Sequence, residues 1–313
     1  MQNKKTIMAV SALFILIFHL WINITSSVTE MFLKQICVIG VDLFFFISAY
    51  SISKQEKIKY KDFILNRVSK VYFKFVVLSL ICAIYSKWNI IKFLKTVLGI
   101  ELFIKGGGSF LWFIPAIMLV YLLLPLYKLI DDKYPKITPL VTVLVYLILS
   151  ILISSYTNYN KLFILTNRIP IILMAFYFAK YKVIEYLNNN KVRYFLITFI
   201  CLVVGLLISY TVYINHFKVS WFYDIFYILY IPLEIGLILL LNKIKENRLT
   251  KIIGSVTLEL YGLQMIFGFK LANEIYKCFN ITLLSNISII IVLIILSLIL
   301  EYMFNFKKNI IKN

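Results

Sequence analysis

Residues 36–53 read ICVIGVDLFFFISAYSIS, an apolar run that carries a single carboxylate, Asp42. A run of this length is typical of a membrane-spanning helix, which needs about 20 mainly apolar residues. Similar runs recur along the chain and are separated by polar or basic residues. We therefore predict an all-α, polytopic transmembrane bundle of about ten spans, in one integral-membrane domain over residues 1–313. The spans are placed at residues 6–24, 36–53, 71–87, 110–129, 137–155, 168–180, 194–214, 222–242, 252–269 and 284–305.

The composition supports a membrane protein. The 313-residue chain is 62% hydrophobic and only 15% charged. Soluble domains are near half apolar with about a quarter of their residues charged, so an ordinary soluble fold is excluded. The four cysteines are scattered without a C-x-x-C pair. Neither a disulfide framework nor a metal site is expected from them.

The distribution of positive charge predicts the orientation. The net charge is +19, and most of the 33 Lys and Arg fall in segments on the same side of the membrane as the amino terminus. By the positive-inside rule both termini are expected in the cytoplasm, in a multi-pass protein of the cell (plasma) membrane. The basic surface then indicates attraction to anionic lipid, and no nucleic-acid partner is expected.

Ionisable residues within the predicted spans are the first candidates for a site, because each costs about 2.5–3.5 kcal/mol on insertion. His19 and Asp42 lie about 9 Å and 10 Å below the outer ends of the first two spans, so they can meet at one level. A carboxylate that accepts one imidazole N–H leaves the other nitrogen to act as a base. In the alternative interpretation His19 bonds a backbone carbonyl and Asp42 caps a local amide. Glu234 is expected either to pair with a cation or to stay protonated.

Two further clusters follow from helical spacing. Arg67, Lys70 and Lys74 recur at intervals of three and four residues, so one helix face carries three cations. That face fits a phosphate-bearing ligand, and the alternative is ordinary anchoring at the cytoplasmic surface. In the ninth span, Glu259, Tyr261 and Gln264 do not share one stripe, so at most two are expected to face a common cavity.

The motifs, in this order, resemble the membrane acyltransferase type 3 family. The most specific match is residues 40–48, which read GVDLFFFIS, and Phe18-His19 is similar to the family's first-span histidine pattern. Residues 66–73 resemble its basic loop motif, with asparagine and lysine in place of two arginines and without the proline. Further matches are Leu111-Trp112-Phe113, Arg168-Ile169-Pro170 and the segment 254–261, where Gln264 follows at a position that holds histidine in many members.

The resemblance implies an acyl-CoA donor on the cytoplasmic side and a sugar hydroxyl as the acceptor. His19 and Asp42 are then the catalytic residues, with His19 acting as a base or as a carrier of the acyl group. Ser48 and Tyr72 are expected to line the channel with Asp42 and Glu259. The residues expected to hold the CoA phosphates are Arg67, Lys70 and Lys74. The residues expected to line the substrate path are Trp112, Arg168, Glu259, Tyr261 and Gln264.

The function expected is therefore an O-acyltransferase, most simply an O-acetyltransferase, that modifies a capsular or other envelope polysaccharide. The expected partners are the lipid bilayer, acetyl-CoA or another acyl-CoA, a surface glycan or lipid-linked sugar, and a second copy of the chain in a homodimer. No permanently bound cofactor or metal is expected. The alternative is a component of polysaccharide translocation or polymerisation without acyl transfer. An ion-coupled transporter is a poorer alternative, since the carboxylates are few and helix-breaking residues do not recur in matched halves.

Overall fold

All regular elements in the described part of the chain are helical. The computed structural model describes residues 1, 3–155, 160–216 and 226–310. Short 3₁₀ turns lie at Cys37–Ile39, Gly106–Gly108 and Asn160–Leu162, and π-helical turns lie at Val68–Tyr72 and Gln264–Gly268. The α-helices are α1 Lys4–Leu20, α2 Val28–Ile36, α3 Gly40–Ser53, α4 Tyr60–Arg67, α5 Phe73–Tyr85, α6 Ile90–Val97, α7 Ile100–Lys105, α8 Phe113–Lys133, α9 Ile137–Ser155, α10 Phe163–Thr166, α11 Ile169–Lys180, α12 Val183–Asn188, α13 Lys191–His216, α14 Phe226–Lys243, α15 Arg248–Ile253, α16 Thr257–Leu263, α17 Phe269–Phe279 and α18 Thr282–Ile310.

Six helical segments within the described residues are long and apolar enough to cross a membrane. The all-helical, multi-pass class expected from the sequence is thereby confirmed. Four further predicted spans overlap helices: the first overlaps α1, the fifth coincides with α9, the eighth overlaps α14, and the ninth is divided over α15 to α17. Residues 222–225 of the eighth predicted span lie outside the described residues. The six segments are Val28–Ser53, Tyr60–Tyr85, Phe113–Lys133, Phe163–Lys180, Lys191–Ile214 and Thr282–Asn305.

Several helices begin at side-chain caps in the connecting segments. Ser27 accepts a hydrogen bond from the backbone N–H of Glu30 at the start of α2. Asn89 accepts a hydrogen bond from the backbone N–H of Lys92 at the start of α6. These side chains satisfy backbone donors that have no partner within the helix, so they define where each helix starts.

The third predicted span begins earlier than expected. The sequence places the start of this span at residue 71, but helix starts at Tyr60 and continues through the π-helical turn at Val68–Tyr72 to Tyr85. Residues 60–85 contain neither glycine nor proline, so nothing in the segment interrupts the helix. The cations of this segment therefore lie on a rigid helix.

The ninth predicted span, residues 252–269, is not one continuous helix. It is divided into α15, α16 and α17, with a break at residues 254–256 and the π-helical turn at Gln264–Gly268. The amino end of α1 packs on the break, where Lys5 Nζ donates to the carbonyl of Gly254 at 3.0 Å. This contact satisfies a carbonyl at the end of α15.

Helix α3 lies at the centre of the bundle. The Val28–Ser53 segment that contains it is the most buried of the six apolar segments. It packs against α1, α8 and α11. Gly40 allows the closest approach, since a Cβ there would lie 2.6 Å from the Ser11 carbonyl oxygen of α1. The core therefore surrounds α3.

Helices α13 and α14 form the most extensive helix pair. Two glycines lie in their contact, and a Cβ at Gly205 would collide with the backbone nitrogen of Leu233. A Cβ at Gly236 would lie 2.9 Å from the backbone nitrogen of Leu202. Small residues that let two backbones approach are the usual means of helix association in membranes.

We expect Gly205→Ala to lower the melting temperature of the detergent-solubilised protein. The added methyl group meets backbone, which cannot rotate away, and such overpacking costs about 1–3 kcal/mol. The matched control is Gly108→Ala, because the nearest atom to a Cβ at Gly108 lies 4.0 Å away. Equal melting temperatures for the two variants would contradict the close packing of α13 on α14.

Candidate active site

A cavity of about 390 Å³ lies between α1, α3, α8 and α16, and the α4–α5 helix closes one side. A volume of this size is within the range of small-molecule sites. One end of the cavity is lined by cations, and the other by mostly apolar side chains. The lining residues are Lys5, Met8, Ala12, Ile15, Val41, Phe44, Ser48, Arg67, Lys70, Val71, Lys74, Phe113, Ile114, Ile117, Tyr121, Ser255, Thr257, Leu258, Glu259, Tyr261 and Gln264.

The contacts of α1 give the depth of the cavity. Lys5 lies at one end beside Gly254, and Ile15 lies at the other beside Gly40. Ten residues of helix separate Lys5 from Ile15, which corresponds to about 15 Å. Gly268 packs on Leu20, so Gln264, one turn earlier, lies near the level of Ile15. A volume of about 390 Å³ over about 15 Å gives a mean cross-section of about 26 Å², so the cavity is a narrow passage with a basic mouth and an apolar inner end.

The three cations predicted to share a helix face do line the same cavity. The Arg67 guanidinium lies over the rings of Phe63 and Tyr121, at 5.1 Å and 4.8 Å from their centroids. Its Nε is buried and has no hydrogen-bond partner in the described part of the chain. Lys70 is exposed. Arg67 is thus held in place by aromatic rings, and its charge is available to a ligand at the mouth.

Lys74 differs from the other two cations, because carboxylates already bind its ammonium group. It forms ion pairs with Glu259 and with Glu301 of α18, the second at 2.5 Å. The Glu259 side chain is only 1% exposed, and a buried carboxylate requires such a partner. Lys74 lines the cavity as predicted, but Arg67 and Lys70 offer more of the positive charge that a phosphate would meet. Glu301 is not among the site residues predicted from the sequence, although an acidic residue in an apolar span was a sufficient signal.

The predicted His19–Asp42 pair is not formed in the structure, which corrects that expectation. Asp42 Oδ1 lies 3.0 Å from Nε of Arg168. The reason is the rotation of α3, because Gly40 faces α1 and Asp42, two residues later, lies about 200° around the helix. The depth estimate was consistent with a pair, but the two side chains point in different directions.

His19 instead uses the carbonyl of its own helix. Its Nδ1 lies 2.8 Å from the Ile15 carbonyl oxygen. A carbonyl only accepts, so Nδ1 carries the hydrogen and, in the neutral ring, Nε2 carries the lone pair. The alternative drawn from the sequence, in which His19 bonds a backbone carbonyl, is therefore correct for this residue. His19 lies one helical turn, about 6 Å, beyond Ile15 at the inner end of the cavity.

Asp42, Arg168 and Glu234 form a buried cluster that joins α3, the start of α11 and α14. Each of the three is at most 2% exposed. The carboxyl groups of Glu234 and Asp42 lie close together beside Arg168. Asp42 Oδ2 and Glu234 Oε2 are buried without a hydrogen-bond partner in the described part of the chain. Arg168 is thus the cation beside Glu234, in line with one of the two expectations for that residue.

The other predicted site residues divide into two groups. Glu259, Tyr261 and Gln264 all line the cavity, although at most two were expected to do so. The expectation assumed one regular α-helix, but Gln264 begins the π-helical turn that follows α16, so the α-helical angle between it and the other two residues does not apply. Trp112 does not line this cavity, and its ring packs edge-on against Phe113 at 6.4 Å. Arg168 also lies outside the lining, in the buried cluster.

The residues expected to line a channel are also divided. Ser48 lines the cavity, and its hydroxyl lies 3.3 Å from that of Tyr121. Tyr72 does not line it, because its hydroxyl donates to the Val97 carbonyl at 2.8 Å. Lys5 was not expected at the mouth, and only the packing of α1 on α15 places it there. Among the described residues no group of three or more His, Cys, Asp or Glu could hold a metal ion.

The fold and the cavity define a multi-pass membrane protein with an enclosed site behind a basic entrance. The family model described as "Acyltransferase domain" matches residues 8–305, and the chain belongs to this acyltransferase family. This match confirms the resemblance drawn from the sequence motifs. No curated protein and no solved structure matched the chain.

We expect Arg168→Met to destabilise the protein strongly. The substitution leaves Asp42 and Glu234 buried without a cation, and breaking a buried pair in this way costs about 3–5 kcal/mol. The measurement is thermal unfolding in detergent, with Arg193→Met as the control because Arg193 is exposed. The double variant with Asp42→Asn and Arg168→Met should melt at a higher temperature than Arg168→Met alone, because it buries one charge fewer. If Arg168→Met melts at the same temperature as Arg193→Met, the cluster does not stabilise the bundle.

Proposed function

We propose that the chain is an integral-membrane O-acyltransferase that moves an acyl group, most simply acetyl, from cytoplasmic acyl-CoA to a hydroxyl of an envelope or capsular polysaccharide or its lipid-linked precursor. The observation that carries this proposal is the cavity, which leads from a cationic mouth to an apolar end one turn short of His19. Membership of the acyltransferase family supports the reaction class.

The proposal includes a topology of ten spans with both termini in the cytoplasm. The positive-inside rule supports this orientation, and it puts the mouth at Lys5 and Arg67 on the side where acyl-CoA is available. His19 then lies toward the outer leaflet, where a sugar acceptor is accessible. A donor and an acceptor that approach from opposite faces would meet near the inner end of the cavity.

The donor is proposed to bind with its phosphates at the mouth and its pantetheine arm in the passage. Arg67, Lys70 and Lys5 supply the positive charge, and charge-assisted bonds to phosphate are strong. The passage is narrow, which suits an extended arm better than a nucleotide. The predominantly apolar lining excludes bulk water, which protects a thioester from hydrolysis.

His19 is proposed to act through Nε2. In a direct reaction Nε2 takes the proton of the sugar hydroxyl, the sugar oxygen forms a bond to the thioester carbon, and the carbon–sulfur bond breaks. The thiolate of CoA then receives the proton. In a two-step reaction the Nε2 lone pair bonds the acyl carbon, the carbon–sulfur bond breaks and the CoA thiolate leaves. The sugar oxygen then bonds that carbon as the carbon–nitrogen bond breaks, and the thiolate receives the hydroxyl proton. In both routes the Ile15 carbonyl orients the ring, and Asp42 acts only on the packing of α3.

We expect His19→Ala to abolish acylation of the surface glycan, since none of the described residues that line the cavity supplies an imidazole in its place. The mass of the glycan is measured in cells with and without the protein, together with the amount of protein in the membrane. His19→Asn retains an N–H donor for Ile15 but lacks a basic nitrogen, so it should be inactive as well. Acylation at the original level in either variant would refute the role of His19.

We expect acetyl-CoA to raise the melting temperature of the purified protein, because a ligand that binds only the folded state stabilises it by about 2.7 kcal/mol at 100 times its Kd. In Arg67→Ala, acetyl-CoA should raise the melting temperature by less than in the wild type, each protein being compared with its own ligand-free sample. Arg193→Ala, which removes an exposed arginine, should show the same rise as the wild type. A wild-type protein that acetyl-CoA does not stabilise would favour the translocation or polymerisation component instead.

A further inference from the structure

Gln264 carries a buried carboxamide that nothing in the described part of the chain satisfies. The residue is 1% exposed, and neither its Oε1 nor its Nε2 has a hydrogen-bond partner. A buried donor or acceptor without a partner costs about 1–3 kcal/mol. Such a group is rare in a folded protein, and it lines the cavity. A ligand that satisfies both atoms would therefore gain affinity from them.

The other polar groups of the inner cavity are already engaged. The Ser48 and Tyr121 hydroxyls lie 3.3 Å apart and bond each other. Glu259 is paired with Lys74. Among these groups, Gln264 is the one whose hydrogen-bonding capacity is left for a ligand.

The backbone explains how the carboxamide comes to face the cavity. Gln264 is the first residue of the π-helical turn Gln264–Gly268. A π-helical turn widens the helix locally, and such turns occur frequently at functional sites. The turn lies near the level of Ile15 and Val41, so the carboxamide sits among apolar side chains at the inner end.

The ligand must enter past cations, extend about 15 Å along a narrow passage and present both a donor and an acceptor there. The pantetheine arm of CoA has this chemistry, with two secondary amides and, in the acylated form, a thioester carbonyl. We propose that Gln264 binds the pantetheine arm, with Oε1 accepting an amide N–H and Nε2 donating to a carbonyl of the arm. This inference rests on the proposed function and assigns the residue that recognises the donor's arm.

Gln264 is thus a binding residue and does not transfer protons, since a primary carboxamide has no accessible protonation change near neutral pH. It holds the arm so that the thioester stops below His19. The phosphates are held separately at the mouth by Arg67 and Lys70. Different residues therefore bind the two ends of the donor, so the contribution of each end to the affinity can be measured separately.

The test compares two ligands on the full-length protein in detergent by calorimetry. CoA contains the arm, whereas adenosine 3′,5′-bisphosphate contains only the nucleotide and its phosphates. Gln264→Met, which has a similar shape without polar atoms, should weaken CoA binding about tenfold and leave the bisphosphate affinity unchanged. Gln35→Met, at an exposed position, is the matched control and should change neither. Arg67→Ala should weaken both ligands.

The outcomes separate this inference from the proposed function. If the wild-type protein binds neither ligand, the proposed use of acyl-CoA as the donor is refuted. If it binds both and Gln264→Met binds CoA as tightly as the wild type, the function stands and the role of Gln264 is overturned. An equal loss of both ligands in Gln264→Met would also overturn it. Without ligand, Gln264→Met should melt no lower than the wild type, because it removes an unsatisfied buried group.

Discussion

The ion pair between Asp42 and Arg168 is the constraint on which the arrangement of the bundle depends. Neither charge can remain in the interior of a membrane protein without the other, and Glu234 lies in the same buried cluster. The three residues belong to segments far apart in the sequence. Their contact fixes the rotation of α3 against α11 and α14, and everything on the other faces of α3 follows from that rotation.

Each face of α3 has a different partner. Gly40 lies against α1, Asp42 points toward Arg168, and Ser48 lines the cavity beside Tyr121. Successive residues are about 100° apart around an α-helix, so the directions of these three residues relative to one another are fixed. Turning α3 to change any one of them would break the ion pair. The helix that carries the most specific sequence motif is thus mainly a structural element that shapes the cavity.

The cavity is lined by cations at one end and by mostly apolar side chains at the other. Cations lie at the mouth, and the pairing of Lys74 with Glu259 and Glu301 limits how far positive charge extends inward. The inner end is apolar, so a hydrogen bond made there is stronger than one made in water. His19 lies beyond it with its Nδ1 fixed by Ile15. This separation of a cationic end from an apolar end is the feature of the cavity on which the proposed binding of an acyl-CoA donor rests.

The sequence by itself determined the helical class, the approximate positions of the six long apolar segments, the face shared by Arg67, Lys70 and Lys74, and the family. These properties depend on local composition, on the rise and rotation of a single helix, and on short motifs. Only the tertiary structure decided that Asp42 binds Arg168 instead of His19, that Glu301 reaches Lys74, and that the carboxamide of Gln264 faces a cavity. The depth of a residue follows from counting along its own helix. The direction in which it points relative to another helix depends on how both are rotated and packed, and that is set by contacts between residues hundreds of positions apart.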